Sequence, residues 1–303
     1  MATEELSPTE FAKFRDYIYT TAGIRLGDHK RLLVSNRIRR RLKATNRSDF
    51  GEYYTFLLSP AGRDELPSFL DEITTNETYF FRDRYQYDWL KSKFVPEVVE
   101  EAKAVKRQKS LDIWSAASST GEEPYSISMS LLDGLSLQKD WRIRIVGTDL
   151  SSAVLATGRE AIYNDRSLQL VSETEKRRFF ENSKDESRPW AVKSEVKNTV
   201  TLQSHNLLMK PKGGPYDCIF IKNVLIYFDD SSRGVVVDHL LSALKPGGYL
   251  VVGPSEGIFK MLNGLERLQP WLYRKPLAAS PTRTVPASTT RPVAAPVLKG
   301  FKK

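Results

Sequence analysis

The chain has 303 residues, of which 40% are hydrophobic and 27% charged, a composition typical of a soluble globular protein with room for two domains. No apolar run reaches the roughly 20 residues needed to span a bilayer, and the acidic N-terminal segment lacks the apolar core of a secretory signal. A single cysteine, Cys218, cannot form an intramolecular disulfide, so we predict a cytoplasmic protein without membrane insertion.

The net charge of +9 is unevenly distributed along the chain. Nine basic residues and one acidic residue lie within positions 25–47, and positions 277–303 add five basic residues and no acidic one. Such surfaces suit nucleic acid, anionic lipid or an acidic protein partner. The histidines, His29, His205 and His239, stand far apart in the sequence without a second ligand at metal-binding spacing, so we predict no metal site.

Residues 1–74 predict a small all-α domain of short amphipathic helices. A capping box opens the first helix, expected over about residues 8–21, and a second helix is expected over about residues 30–45. Ser48 is expected to open a third helix, and a fourth should cover about residues 63–73.

The second predicted helix carries an apolar stripe on one side and basic residues on the others. Its basic residues include Arg37, Arg40, Arg41 and Lys43. This basic surface is either an ordinary solvated face or a docking surface for an acidic partner.

Residues 75–110 are expected to form a connector and a linking helix. The segment TTNETYFFR, residues 74–82, is rich in β-branched and aromatic residues and breaks the helical pattern. A helix over about residues 85–105 should follow, and Pro96 should kink or interrupt it.

From residue 111 onward, strands alternate with helices, which predicts an α/β fold with a parallel sheet and crossover helices. We expect this domain to extend over residues 111–276. Residues 168–197 are charged and irregular and are interpreted as a small β insertion. Residues 277–303, rich in Pro, Ala, Ser and Thr, are expected to be a disordered tail.

The stretch LDIWSAASSTGEEPYS, residues 111–126, combines a strand end, a run of small residues and a helix start. Thr120 or Gly121 can cap that helix, with Glu122 and Glu123 in its first turn. In a doubly wound sheet such a turn lies where ligands bind. Because the Gly-rich fingerprint for pyrophosphate is absent, a phosphate-free cofactor such as S-adenosylmethionine suits the loop better. An ordinary strand-to-helix turn is the alternative.

Two further features favour a nucleoside cofactor. Asp149 ends the next predicted strand, where its carboxylate could accept hydrogen bonds from both ribose hydroxyls. The turn KPGG, residues 245–248, precedes a buried strand and resembles the turn before the fifth strand of class I methyltransferases. Together with the loop, these features favour methyltransferases over dehydrogenases.

Four separated blocks resemble the CheR family of bacterial chemotaxis receptor methyltransferases. They are TNETYFFR (75–82), WSAASSTGEEPYS (114–126), GTDL (147–150) and KNVLIYF (222–228). The resemblance covers about residues 11–276 and implies an α/β, Rossmann-like class I methyltransferase domain with a small N-terminal all-α domain and a small β insertion. Two positions depart from the family pattern: Lys222 replaces an arginine that could bind bidentately, and Pro254 replaces a histidine.

The resemblance also implies roles for individual residues. The implied cofactor-binding residues are Asn76, Thr78, Arg82, Glu123, Asp149, Asn206, Leu207, Lys222 and Asn223. Arg82 and Tyr227 are implied as catalytic residues that face the methyl acceptor, the alternative for Tyr227 being a core aromatic. The aromatic residues Tyr79, Phe80 and Phe81 could exclude water from the site. The implied receptor-docking residues are Arg37, Arg40, Arg41 and Lys43.

The implied reaction methylates glutamate side chains on the cytoplasmic domain of methyl-accepting chemotaxis receptors and leaves S-adenosylhomocysteine. A glutamate is ionised at neutral pH, so no general base is required. The implied protein is a monomer that binds no nucleic acid. Two alternatives stay open: a non-catalytic cofactor-binding scaffold of the same fold, and an RNA methyltransferase, which the basic composition would suit.

Overall fold

The structure is a computed structural model that describes residues 5–74 and 77–277. Asn76, which the sequence assigns to the cofactor site, and residues 278–303 of the predicted tail lie outside the described residues. Within the described part of the chain, no helix has the length and apolar character needed to cross a membrane.

The N-terminal part packs four α-helices around a core of its own. They are α1 (Pro8–Ala22), α2 (Arg31–Thr45), α3 (Phe50–Leu58) and α4 (Leu66–Ile73). The capping box that opens α1 is present, but Asp49 rather than Ser48 caps α3 because its carboxylate accepts the N–H of Glu52. Helix α4 begins later than predicted, with Pro67 in its first turn, where a missing N–H costs nothing.

Arg41 is part of this core rather than of a docking surface. Its guanidinium donates two hydrogen bonds of 2.8 Å to the buried carboxylate of Glu65, which also accepts one from the Tyr53 hydroxyl. The pair ties α2 to the start of α4, and only 19% of the Arg41 side chain is exposed. The assignment of Arg41 to the docking surface is therefore wrong, because a bidentate partner already occupies its guanidinium.

The linking segment consists of α5 (Arg84–Trp89), a π-helical turn (Leu90–Phe94) and α6 (Val95–Lys103). The predicted interruption takes the form of this wide turn, which ends just before Pro96. A proline ring crowds the preceding turn and provides no N–H, so a local widening relieves the conflict.

The rest of the described chain is α/β. Its strands are β1 (Ser110–Ala116), β2 (Arg142–Asp149), β3 (Ile162–Tyr163), β4 (Phe180–Asn182), β5 (Trp190–Val192), β6 (Val200–Ser204), β7 (Tyr216–Ile221), β8 (Leu244–Val252), β9 (Glu266–Gln269) and β10 (Leu272–Arg274). Its helices are α7 (Glu122–Gly134), α8 (Ser152–Glu160), α9 (Glu173–Phe179), α10 (Ser194–Lys197) and α11 (Asp230–Ala243).

Seven strands form the main sheet in the order β6-β2-β1-β7-β8-β10-β9. The first five run parallel, and β10 runs antiparallel to both of its neighbours. The strand order reverses at β1, which pairs with β2 on one side and β7 on the other. Such a reversal opens a crevice at the carboxyl ends of the strands.

The insertion is a three-stranded antiparallel sheet in the order β3-β5-β4. It begins at Ile162, earlier than the sequence indicated, because β3 pairs with Trp190 and Ala191 of β5. Its buried residues Tyr163 and Phe180 pack against Phe80. The centroid of the Phe80 ring lies 4.8 Å from that of Tyr163 and 5.1 Å from that of Phe180. The insertion therefore shares the core of the main domain.

Candidate active site

A cleft lies at the carboxyl ends of the parallel strands. Nine of the ten residues predicted to face cofactor or acceptor line it: Thr78, Arg82, Glu123, Asp149, Asn206, Leu207, Lys222, Asn223 and Tyr227. The tenth, Asn76, lies outside the described residues. The sequence motifs thus converge on one place, although their members come from five separate segments of the chain.

The loop after β1 holds an unusual backbone conformation at the cleft. Ala117, Ser119 and Gly121 all have positive φ angles, of 61°, 49° and 92°. A Cβ on Gly121 would lie 3.1 Å from the Tyr125 ring and 3.2 Å from the Tyr163 hydroxyl. Residues held in sparsely populated backbone regions concentrate at functional sites, which argues against an ordinary strand-to-helix turn.

Asp149 lies at the end of β2 and is only 7% exposed. One carboxylate oxygen accepts the N–H of Ser119 at 2.8 Å and the other accepts the N–H of Ser151 at 3.0 Å. Burial raises the pKa of Asp149, and the backbone hydrogen bonds oppose that rise. An ionised carboxylate has about four lone-pair positions, so both oxygens keep capacity to accept from a ligand.

The two glutamates at the start of α7 differ in position. Glu123 lines the cleft and accepts a hydrogen bond of 2.8 Å from the Ser115 hydroxyl. Burial raises the pKa of Glu123, and nearby Lys222 opposes the rise. Glu122 instead accepts from Thr120 at 2.6 Å and Ser167 at 3.2 Å, and it is not among the cleft-lining residues. Only Glu123 of this pair is placed to meet a ligand.

Lys222 is a buried cation that connects two walls of the cleft. Its ammonium donates to the carbonyl of Arg82 at 2.7 Å and lies 3.2 Å from Asp83 and 3.6 Å from Glu123. It also lies over the ring of Tyr87, 5.2 Å from the centroid. A compact charge with three donors suits oxygen partners in several directions, as the three oxygen atoms around Lys222 require.

The connector reaches the cleft through part of its length only. Tyr79 lines the cleft, and its ring centroid lies 5.6 Å from the guanidinium carbon of Arg82. Phe80 and Phe81 point away into the main core and are 0% and 3% exposed. The expectation that all three aromatic residues cover the site is therefore wrong: two of them anchor the connector, since their backbone N–H groups are fixed by Ser167 and Ser126.

The helical domain forms one wall of the cleft and holds the loop that contains Tyr227. The N–H of Arg25 donates to the carbonyl of Tyr227 at 2.8 Å, and Ile24 forms an antiparallel bridge with Phe228. The Tyr19 hydroxyl donates to Asp229 at 2.8 Å. Tyr227 itself is 37% exposed and lines the cleft, so the alternative that it is a core aromatic is excluded.

Asn206 contributes to the same domain junction. Its side-chain nitrogen donates to the carbonyl of Thr21 at 2.8 Å, and its side-chain oxygen accepts the N–H of Leu208 at 3.0 Å. These two bonds fix the amide, which keeps one N–H and one lone pair that can still contact a ligand. Leu207, which is buried at 7% exposure, supplies an apolar surface beside it.

The remaining members of the predicted docking surface differ in accessibility. Arg37 lines the cleft and donates to the carbonyls of Ile73 and Thr74, at the C-terminal end of α4. Burial of the guanidinium lowers the pKa of Arg37, and the positive charge of nearby Arg40 lowers it further. Arg40 pairs with Glu72 while 59% of its side chain stays exposed, and Lys43 is exposed. Of the four predicted docking residues, these last two are the most accessible to solvent.

Two buried polar atoms of the described residues at the cleft have no hydrogen-bond partner in the protein: Ser118 Oγ and His205 Nε2. Unsatisfied buried polar atoms are rare and call for a partner such as a ligand. Burial lowers the pKa of His205, so its ring is neutral near pH 7 and can either donate or accept. S-adenosylmethionine fits this cleft: the carboxylates of Asp149 and Glu123 suit its hydroxyl and amine groups, and Leu207 supplies an apolar wall. The two unsatisfied atoms could bond its remaining polar groups. His205 was not predicted as a site residue, because the sequence analysis considered the histidines only as metal ligands and found no second ligand at a suitable spacing.

In the main sheet, β10 lies between β8 and β9 and runs antiparallel to both. The loop after β1 lacks the Gly-rich pattern that binds phosphate and lies beside Asp149, the carboxylate that ends β2. Together these features define a class I methyltransferase. Residues 9–74 match the family described as "CheR methyltransferase, all-alpha domain" and residues 76–270 match "CheR methyltransferase, SAM binding domain". The chain belongs to the CheR methyltransferase family, which confirms the resemblance found in the sequence.

Its relatives include proteins that align over most of their length. It is 36% identical to the chemotaxis protein methyltransferase of Salmonella typhimurium, over 85% of this chain and 87% of that protein. It is 33% identical to the chemotaxis protein methyltransferase of Borreliella burgdorferi, over 89% of this chain and 95% of that protein. The corresponding Escherichia coli protein is 36% identical over 83% of this chain and 85% of its own length.

Proposed function

We propose that this protein transfers a methyl group from S-adenosylmethionine to glutamate carboxylates of chemoreceptors and forms glutamate methyl esters. The observation that carries the proposal is the convergence of Asp149, Glu123, Arg82 and Tyr227 on one cleft whose wall includes the basic helix α2. Relatives named chemotaxis protein methyltransferases support a chemoreceptor as the substrate.

Asp149 and Glu123 are the proposed anchors of the cofactor. Asp149, fixed by two backbone N–H groups, would accept from the ribose hydroxyls, and Glu123 would face the amine. S-adenosylmethionine supplies an electrophilic methyl group on a sulfonium when it is bound. The excess of carboxylates over the one ammonium of Lys222 favours a cationic ligand at this end of the cleft.

Arg82 and Tyr227 are proposed to orient the methyl acceptor. A glutamate carboxylate is ionised at neutral pH, so these residues need only hold one oxygen about 3–3.5 Å from the methyl carbon. The new oxygen–carbon bond forms as the carbon–sulfur bond breaks, and no proton moves. One guanidinium and one hydroxyl can orient the oxygen without fully neutralising it. Tyr79 and the helical domain would exclude water.

We expect acidification to weaken cofactor binding at a pH above the range in which ordinary carboxylates take up a proton. The pKa of Asp149 is raised by burial, so its folded, ligand-free form takes up a proton early and loses acceptor capacity as the pH falls. We expect the dissociation constant for S-adenosylmethionine, measured by calorimetry, to rise as the pH falls below neutrality, before the ordinary aspartate pKa of about 3.9 is reached. The Asp149→Asn variant should show a weaker and flatter profile, and a constant affinity in the wild type would contradict the assignment.

Charge reversal on α2 should impair transfer to receptors and leave cofactor binding unchanged. We expect Arg40→Glu combined with Lys43→Glu to reduce kcat/KM for receptor by about tenfold or more at low ionic strength, because acidic receptor helices lose electrostatic steering. The matched control is Lys106→Glu with Lys139→Glu, since both exposed lysines lie in the loops before β1 and β2, at the end of the parallel strands away from the cleft. Equal receptor methylation by the α2 variant at low salt would refute the docking role.

Incubation of the protein with methyl-labelled S-adenosylmethionine and receptor-containing membranes tests the proposal against its alternatives. Base-labile label on the receptor supports a methyl ester. Cofactor binding without transfer would favour the non-catalytic scaffold, and label on added RNA would favour an RNA methyltransferase.

A further inference from the structure

Glu256 is a fully buried carboxylate, with 0% exposure, to which no role has been given so far. It accepts hydrogen bonds from three consecutive backbone N–H groups, those of Asn223, Val224 and Leu225. The distances to Val224 and Leu225 are 3.3 and 2.7 Å. These donors begin the loop after β7, which also contains Tyr227.

The backbone around Glu256 is built for this contact. Asn223 has a positive φ of 59°, so its N–H and those that follow converge on one point and form a concave anion site. A Cβ on Gly253 would lie only 2.6 Å from the Glu256 carboxylate, so glycine is needed for its close approach. An internal carboxylate thus fills an anion site that the protein itself has made.

The same loop is fixed from the opposite side by other elements. Arg233 donates to the carbonyl of Leu225 at 2.9 Å, and Arg25 of the helical domain donates its N–H to Tyr227 at 2.8 Å. Glu256 is the buried support that meets the loop at Asn223, Val224 and Leu225. Loss of that support would let Tyr227 move relative to the cleft even if the fold persisted.

We propose that Glu256 is a positioning residue for methyl transfer, acting through the Asn223–Val224–Leu225 backbone to fix Tyr227 at the acceptor side of the cleft. The inference rests on the proposed function of Tyr227. It assigns to the buried glutamate of the GPSE segment, residues 253–256, a role that concerns turnover rather than cofactor contact.

The first test is Glu256→Gln, which keeps the size of the side chain but replaces one acceptor oxygen with a donor. We expect hydrogen exchange of the amides of residues 223–225 to become about 10- to 100-fold faster, because hydrogen bonds to a charged acceptor are lost. The matched control is Asp217→Asn, because Asp217, at the other end of β7, is also buried and accepts a backbone N–H at 2.8 Å from Asp112 of β1. Unchanged exchange in the Glu256 variant would overturn the inference.

The second test is a double-mutant cycle with Tyr227→Phe. We expect Glu256→Gln to reduce kcat for receptor methylation by about 10- to 100-fold, as a small misplacement would, and to change cofactor affinity by a smaller factor, through Asn223. In the Tyr227→Phe background the same change should have little further effect. Additive effects, or a variant with normal kcat, would contradict a role through Tyr227. Glu256→Asp, which keeps the charge, should restore part of kcat and serves if the glutamine variant fails to fold.

The two hypotheses fail in different ways. If the wild-type protein transfers no methyl group to receptors, the proposed function fails, and the exchange measurement alone then decides whether Glu256 orders the loop. If the wild type is active and the cycle is additive, the inference fails and the proposed function stands.

Discussion

Replacing Lys222 with methionine is expected to lower the free energy of unfolding by about 3–5 kcal/mol and to reduce methyl transfer strongly. The substitution leaves the carboxylates of Asp83 and Glu123 without the cation that lies 3.2 and 3.6 Å away. It also removes the donor to the carbonyl of Arg82, so the connector loses its tie to the loop after β7. Urea unfolding and receptor methylation measure the two effects.

The pH dependence of the lost stability distinguishes the contribution of the Lys222 charge from that of its packing. Burial raises the pKa of Glu123 and Lys222 opposes that rise, so the methionine variant should have a still higher pKa at Glu123. A carboxyl whose pKa is raised by folding stabilises the folded state less as the pH rises through that pKa. The loss of stability should therefore be larger at about pH 8 than at about pH 5. Lys222→Arg, which keeps the charge, is the control, and a methionine variant as stable as the wild type would contradict the account.

Replacing Asp149 with asparagine is expected to weaken S-adenosylmethionine binding by about 10- to 100-fold. Asparagine fills the same space but cannot accept with both ends, and Asp149 already accepts the N–H groups of Ser119 and Ser151. The amide would place a donor against one of these donors and would lose charge-assisted bonds to the cofactor. Calorimetry with the purified full-length protein measures the change.

The matched control for this experiment is Glu122→Gln. Glu122 is a buried carboxylate in the same region, but it contacts Thr120 and Ser167 and does not line the cleft. We expect its affinity for the cofactor to stay within about threefold of the wild type. An equal loss in both variants would show that general disturbance of the loop, and not the carboxylate at the end of β2, controls binding.

The fold and the location of the site could be predicted from the sequence because their signals are local. The small residues between Trp114 and Gly121, the acid that ends β2 and the KPGG turn each reflect a backbone requirement within a few residues. Parallel strands then bring the loops together at one edge of the sheet. The class of fold and the family were therefore confirmed.

The supporting contacts could not be predicted, because each joins residues far apart in the chain. Lys222 and the carbonyl of Arg82 are separated by 140 residues, and Asn206 and Thr21 by 185. Arg41 looked like a surface charge because its partner, Glu65, lies 24 residues away, just before α4. For the same reason Phe80 and Phe81 were expected at the cleft, although the insertion and the main core bury them. Side-chain direction and tertiary pairing carry no short-range signature in the sequence.

The most direct test of the proposed function is peptide mass spectrometry of receptor cytoplasmic domain after incubation with the protein and S-adenosylmethionine. Our account predicts the mass of a methyl group on glutamate side chains, removed by mild base and absent when Asp149→Asn replaces the wild type at limiting cofactor. A methyl group on another residue type, a base-stable product, or no modification by a wild type that binds the cofactor would contradict it.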